Sequence, residues 1–207
     1  MSWGTVPMLS AKQNPLPEAD RAVLLGVARE SIRHGLRESS VLSLRLADYS
    51  RTLCREGASF VTLKRYGELR GCIGTLAAMQ PLVENVNANA YSAAFRDPRF
   101  PPLAGSELAG LDIHISVLGT PEPMNFRSEH DLLRQLRPGE DGLIVEEGSR
   151  RGTFLPSVWE QLPQPGEFLR HLKIKAGLPE DYWSQTLRVR RYAVESFSGS
   201  VQQLGHR

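Results

Sequence analysis

Cysteine is scarce in this chain: Cys54 and Cys72 are the only two in 207 residues. That count excludes the disulfide framework of a small secreted domain. Aromatic residues are also few, at 7%, and they do not interleave with a basic face, so a nucleic-acid interface is not expected. Charge of one sign is lacking as well, because 25 Lys and Arg meet 23 Asp and Glu for a net charge of +2. No apolar run reaches the roughly 18 residues of a membrane span, and no membrane association is expected. The start, Met1-Ser2-Trp3-Gly4-Thr5-Val6-Pro7, lacks the basic opening and apolar stretch of a signal peptide. A reducing cytoplasm is the expected location. Zinc-type Cys and His spacing, a Walker loop and a dinucleotide fingerprint are all missing. No metal ligand is assigned, and the cofactor, if one exists, stays open.

What is present reads as an ordinary globular chain, with 41% hydrophobic and 23% charged residues. The first 16 residues read as a mobile leader, residues 17–199 as one domain, and 200–207 as a tail. Pro17-Glu18-Ala19-Asp20 opens a helix with acid near its positive end. Leu25, Ala28, Ile32 and Leu36 follow at helical spacing and predict its buried face. Ser59 to Leu63 is β-branched and aromatic, Tyr66-Gly67-Glu68 is a turn, and Leu69 to Leu76 returns as a second strand. A helix follows Pro81, with Leu82, Val86, Ala90, Ala93 and Ala94 on one face. Asp97-Pro98-Arg99-Phe100-Pro101-Pro102 ends it.

Further on, Leu111, Ile113, Ile115 and Val117 alternate with Asp112, His114 and Ser116, the pattern of a half-buried strand. Asp131 to Leu136 is a short helix. Gly142 to Val145 and Arg151 to Leu155 bracket a turn and form a second hairpin. Pro156 to Glu160 is a short helix, and Phe168 to Ala176 is another that stops at Gly177. Leu187 to Phe197 reads as one last strand. Two hairpins among interleaved helices disfavour a purely parallel sheet. The expected fold is mixed α/β (α+β), a mixed or antiparallel sheet covered by helices and divided into two lobes.

The run Arg70-Gly71-Cys72-Ile73-Gly74 carries the most chemistry. Glycines on both sides uncover the strand and admit another backbone or a ligand. Alternation puts Arg70 and Cys72 on one face, where a guanidinium favours the thiolate. A packed structural cysteine is the competing reading. A nucleophile needs a base, and His114 and His171 are the histidines that could approach it. Arg96-Asp97-Pro98-Arg99 is either an anion site or, preferably, a turn in which Asp97 pairs with an arginine. The basic groups Arg150-Arg151, Lys173 with Lys175, and Arg188-Arg190-Arg191 read as solvated surface, with anion binding as the alternative.

These runs together resemble a known family. The matching segments are Phe60 to Lys64, Leu69 to Gly74, Asn89-Ala90, Ala93-Ala94-Phe95 and Asp97 to Phe100. Asp141 to Ile144, Gly152 to Pro156 with Val158-Trp159, and Lys175 to Leu178 continue the series in order. The chain is similar to the AMMECR domain family, represented in microbes by protein A of the AmmeMemoRadiSam system. The resemblance implies two lobes and a cleft near which the motif residues gather. Carried over, these are Arg70 and Cys72 as catalytic candidates, and Asp97, Arg99, Thr153 and Lys175 as ligand-binding candidates. It further implies association with a Memo-like, dioxygenase-type protein and with a radical SAM protein. The implied role is an enzyme or enzyme component with a cysteine-containing cleft. The alternative is a non-catalytic module that binds a small anion or a partner protein. Many relatives carry a cysteine two residues before the motif lysine, where this chain has Lys173, and that weakens a two-cysteine redox or metal role.

Overall fold

A computed structural model describes residues 15–201. Helix α1 (Glu18–Glu38) leads, and strands β1 (Ala58–Arg65) and β2 (Glu68–Gly74) form a hairpin. Helix α2 (Leu82–Phe95) and strand β3 (Leu111–Leu118) complete most of the first lobe. The second lobe contains β4 (Glu122–Pro123), α3 (Glu129–Gln135), β5 (Gly142–Glu147), β6 (Arg150–Phe154), α4 (Pro165–Lys175) and β7 (Arg188–Tyr192). Strand β8 (Val194–Ser200) returns to the first lobe. The described residues thus form two four-stranded sheets, ordered β2-β1-β3-β8 and β4-β7-β5-β6. Every pairing is antiparallel. The α+β fold with two helix-covered lobes expected from the sequence is the fold observed.

Each lobe has its own core. Helices α1 and α2 cover one face of the first sheet and bury Leu24, Ala28, Ile32, Val86 and Ala90 against Val61, Leu63, Ile113 and Ile115. Helix α4 and the turn around Trp159 cover the second sheet, packing Phe168, Leu169, Leu172 and Trp159 on Leu143, Val145 and Val189. Each fully buried Leu, Ile or Phe contributes about 1.5–3 kcal/mol relative to exposure. The face of α1 is rotated from the one expected. Ala28 and Ile32 are fully buried, but Leu25 and Leu36 are only half-buried and Leu24 takes the central place. Gly35 sets this rotation, because a Cβ there would overlap the Phe95 ring of α2.

The predicted last strand divides in two. Residues 188–192 pair in the second sheet and residues 194–200 in the first, with Ala193 at the switch. The Ala193 carbonyl accepts the Gly119 N–H at 2.8 Å, so the two segments that cross between lobes bond to each other. An alternating strand pattern cannot show that its two ends belong to different sheets. At the chain ends, most of the expected leader and tail lies outside the described residues. Leu16 packs against the first core and donates its N–H to Glu195, while Val201 is buried in that core.

Candidate functional site

The β1–β2 hairpin turns on Tyr66 and Gly67, both in the left-handed region at φ 51° and 87°. Two positive φ values in succession match the right-handed twist of the strands they join. Beyond the turn, Arg65 pairs with Glu68 and Lys64 with Leu69, but Leu63 pairs with Gly71. Arg70 is therefore the extra residue of a β-bulge. The bulge sets Cys72 opposite Thr62 instead of one residue away.

Arg70 does not bond to Cys72. Its guanidinium makes a two-pronged ion pair with Glu107, at 2.7 and 2.9 Å, and donates to the Pro101 carbonyl at 3.0 Å. The hydrogen bond from Arg70 holds the Glu107 carboxyl down at about 2, with burial opposing it and the Ala104 N–H assisting. This pair ties β2 to the loop ahead of β3.

Arg99 and Asp97 instead meet Cys72. The buried Asp97 carboxylate accepts the Cys72 N–H at 2.8 Å, and the Arg99 guanidinium donates to the Cys72 carbonyl at 3.3 Å. Arg99 and Asp97 also pair with each other, at 2.9 and 2.7 Å. The turn reading of Asp97-Pro98-Arg99 thus describes the geometry. Cys72 lies on an edge strand, whose outer N–H and C=O groups would otherwise stay unpaired. The Asp97–Arg99 pair caps both. The Arg99 hydrogen bond, more than the backbone N–H groups, pulls the Asp97 carboxyl far below the ordinary carboxylate range against the effect of burial.

Both glycines of the Cys72 run serve packing. A Cβ on Gly71 would overlap the Ala93 carbonyl of α2, and one on Gly74 would overlap the Phe60 ring. Beneath them, Asn89 of α2 donates to the Ser59 carbonyl at 3.0 Å, and Asn85 donates to Thr75 at 2.7 Å. These buried amides hold the helix in register with the hairpin.

The Cys72 side chain points the other way and is half-buried. Thr62 Oγ1 donates to Cys72 Sγ at 3.2 Å. Thr62 in turn stands opposite His114, and His114 opposite Ser198. A row of four side chains, Cys72-Thr62-His114-Ser198, therefore crosses the helix-free face of the first sheet. Burial lowers the His114 pKa, Lys64 lowers it further, and Asp112 opposes both, which favours a neutral imidazole. The same face continues through Ser116 and Ser196 into a cavity of about 480 Å³ against Leu155, Pro156 and Trp159 of the second lobe. His171 is exposed on α4 in the second lobe.

The other two candidates sit apart from this group. Thr153 is buried, with its hydroxyl bonded to the Leu143 carbonyl at 2.8 Å and to the Tyr192 hydroxyl at 3.0 Å. The Lys175 ammonium lies 4.9 Å from the centre of the Phe154 ring. Lys173 is wholly buried and ion-paired to Glu129 at 2.9 Å. Among the described residues, no three His, Cys, Asp or Glu side chains stand close enough to hold a metal ion. No helix among them is long and apolar enough to cross a membrane.

Two residues that matter here, Thr62 and Glu107, were not among the sequence candidates. Counting back from the turn without a bulge pairs Thr62 with Gly71, so its bond to Cys72 had no signal. Glu107 ends a three-residue 3-10 turn, Gly105–Glu107, that is too short to leave a pattern in the sequence.

Fold and site together define an α+β protein of two antiparallel sheets that presents a cysteine from a clamped edge strand. The chain belongs to the AMMECR1 family, whose family model matches residues 25–197. A protein of Methanothermobacter thermautotrophicus is 40% identical over 189 residues, covering 90% of this chain and 97% of its own length. A Thermotoga maritima protein is 41% identical over 145 residues, covering 69% of this chain and 78% of its own length. The crystal structure of an uncharacterized protein from Pyrococcus horikoshii matches with a TM-score of 0.74 at 36% identity, over 85% of this chain and 89% of that one.

Proposed function

We propose that this chain is an enzyme, or the enzyme component of a small system, that works through the Cys72 thiol. The supporting observation is the clamp: both backbone polar groups of Cys72 are held by Asp97 and Arg99, and its sulfur accepts from Thr62, while the side chain stays half-exposed. The backbone bonds would serve any residue on this edge, but a cysteine that only filled space would lie in the core and would need no hydroxyl aimed at its sulfur. Arg99 supplies the cation beside the residue, and His114, two strands away on the same face, is the candidate base. Bringing His114 into play takes a side-chain rotation or a bridging water.

Under this reading the partners implied by the family resemblance, a Memo-like protein and a radical SAM protein, act on the same small molecule before or after this chain. A reducing cytoplasm keeps Cys54 and Cys72 as thiols. The test is alkylation by iodoacetamide, in which the sulfur displaces iodide from carbon and the thiol proton passes to buffer. Cys72 should react several-fold faster than Cys54 in the folded protein, and the difference should vanish in denaturant. A Cys72 that is inert, or no faster than Cys54, would sink the proposal.

The second reading is a module that binds a partner protein or a small anion. It is favoured by the half-exposed Arg99 guanidinium, whose side chain keeps 53% of its surface accessible. In that case Cys72→Ser leaves cellular function intact and Arg99→Ala removes it.

A further inference from the structure

We propose that the arginine-lined cavity at the free end of the β5–β6 hairpin binds a small phosphate-bearing ligand. Two basic runs far apart in sequence meet there, because β5 lies between β6 and β7. Glu146 of β5 stands opposite Arg151 on one side and Arg188 on the other, and Glu147 stands opposite Arg150. The cavity has a volume of about 410 Å³, with Arg150, Arg151, Arg188, Ser149 and Thr186 in its wall beside Glu146.

The charges in this patch do not cancel. Glu146 is shared between Arg151 at 3.3 Å and Arg190 at 3.7 Å. The Glu147 carboxylate is occupied by the Ser184 and Thr186 hydroxyls, at 3.0 and 2.7 Å. Arg188 is near enough to help lower the Glu147 pKa, behind the effect of those hydroxyls. Neither Arg150 nor Arg188 forms an ion pair among the described residues. Arg151, Arg188 and Arg190 thus share one sheet face with the single carboxylate of Glu146, and Arg150 joins the cavity wall from the end of the hairpin. A dianion would relieve their repulsion, and guanidinium forks match phosphate oxygens two at a time.

The cavity wall contains no aromatic ring on which a base could stack, which favours a small phosphate over a single-stranded nucleic acid. The site is in the second lobe, on groups other than the Cys72 clamp, and it stands independently of the thiol reading.

The experiment is calorimetric titration of the full chain with inorganic pyrophosphate at low ionic strength. Saturable binding is expected, weakened by about tenfold or more in the Arg150→Ala/Arg188→Ala double variant, since each lost charge-assisted contact removes a sizeable part of the affinity. Both arginines are exposed, so circular dichroism of the variant should match the parent. Arg170→Ala serves as the control, because that arginine is paired with Glu167 on α4 and should not affect binding. No saturable heat, unchanged affinity in the double variant, or an equal loss in Arg170→Ala would overturn the proposal. A single-stranded oligonucleotide that outcompetes pyrophosphate at equal phosphate concentration would overturn it too, in favour of a polyanion surface.

Discussion

The two lobes contain the same local device put to different ends. Each has an edge strand on which a glycine is followed by a polar residue: Gly71-Cys72 on β2 and Gly152-Thr153 on β6. In each, the glycine admits a helical segment. Gly71 faces the Ala93 carbonyl, and a Cβ on Gly152 would lie 2.7–2.9 Å from the backbone and side chain of Ala176. The polar residue then differs. Thr153 is buried and bonded within its own sheet, to Leu143 and Tyr192. Cys72 is half-exposed, and Asp97 and Arg99, which clamp it, come from a loop outside the sheet. Close helix packing positions both edges, but only the first presents a side chain whose backbone is held independently of its own exposure.

Glycine substitution should break this comparison most severely. Gly71→Ala drives a methyl group into a backbone carbonyl that cannot rotate away, and about 3 kcal/mol of stability should be lost. Gly152→Ala meets looser contacts and should cost about 1–2 kcal/mol. Chemical denaturation of both variants measures the difference, and equal losses would show that the two edges are packed alike.

Asp97→Asn should cost about 2 kcal/mol, because a buried charged acceptor is replaced by a neutral amide. The pH dependence has a definite sign. Asp97 is more acidic in the folded chain than unfolded, so its contribution is fully present above the ordinary aspartate value, about 3.9, and is lost as pH falls below it. Denaturation midpoints from pH 7 to pH 3 should therefore fall less steeply in Asp97→Asn than in the parent. An unchanged slope would remove Asp97 from the acid response.

Thr153→Val should cost about 1 kcal/mol, the usual worth of a buried neutral hydrogen bond, and leave the Cys72 alkylation rate unchanged. Thr62→Val should have the smallest effect on stability, about 0.5 kcal/mol, yet alter that rate, because it removes the hydroxyl that donates to the sulfur. If Thr153→Val changed the rate and Thr62→Val did not, the division of labour between the two edges would be reversed.

Much of the fold was legible. The Leu111 to Val117 alternation became β3, and the stop at Gly177 is a left-handed residue at φ 78°. The Asp97 turn was legible because its partner is two residues away. The site was legible in part. Arg70 and Cys72 were singled out together, but one bulged residue separates their roles, and a bulge leaves no periodic trace when it falls on an ordinary residue. Lys173, read as part of a surface charge group, is buried because Glu129, far away in sequence, compensates it.

What the sequence by itself determined are most of the elements, the two hairpins and the family motif, but not the division of the last strand between the two sheets. These depend on neighbours a few residues apart, where periodicity and turn chemistry act directly. The tertiary structure alone decided which polar groups meet: Arg70 with Glu107, Thr62 with Cys72, and the arginines of β6 with those of β7. Those pairings depend on strand order and register, and a shift of one residue in register, invisible in composition or spacing, changes every partner across the sheet.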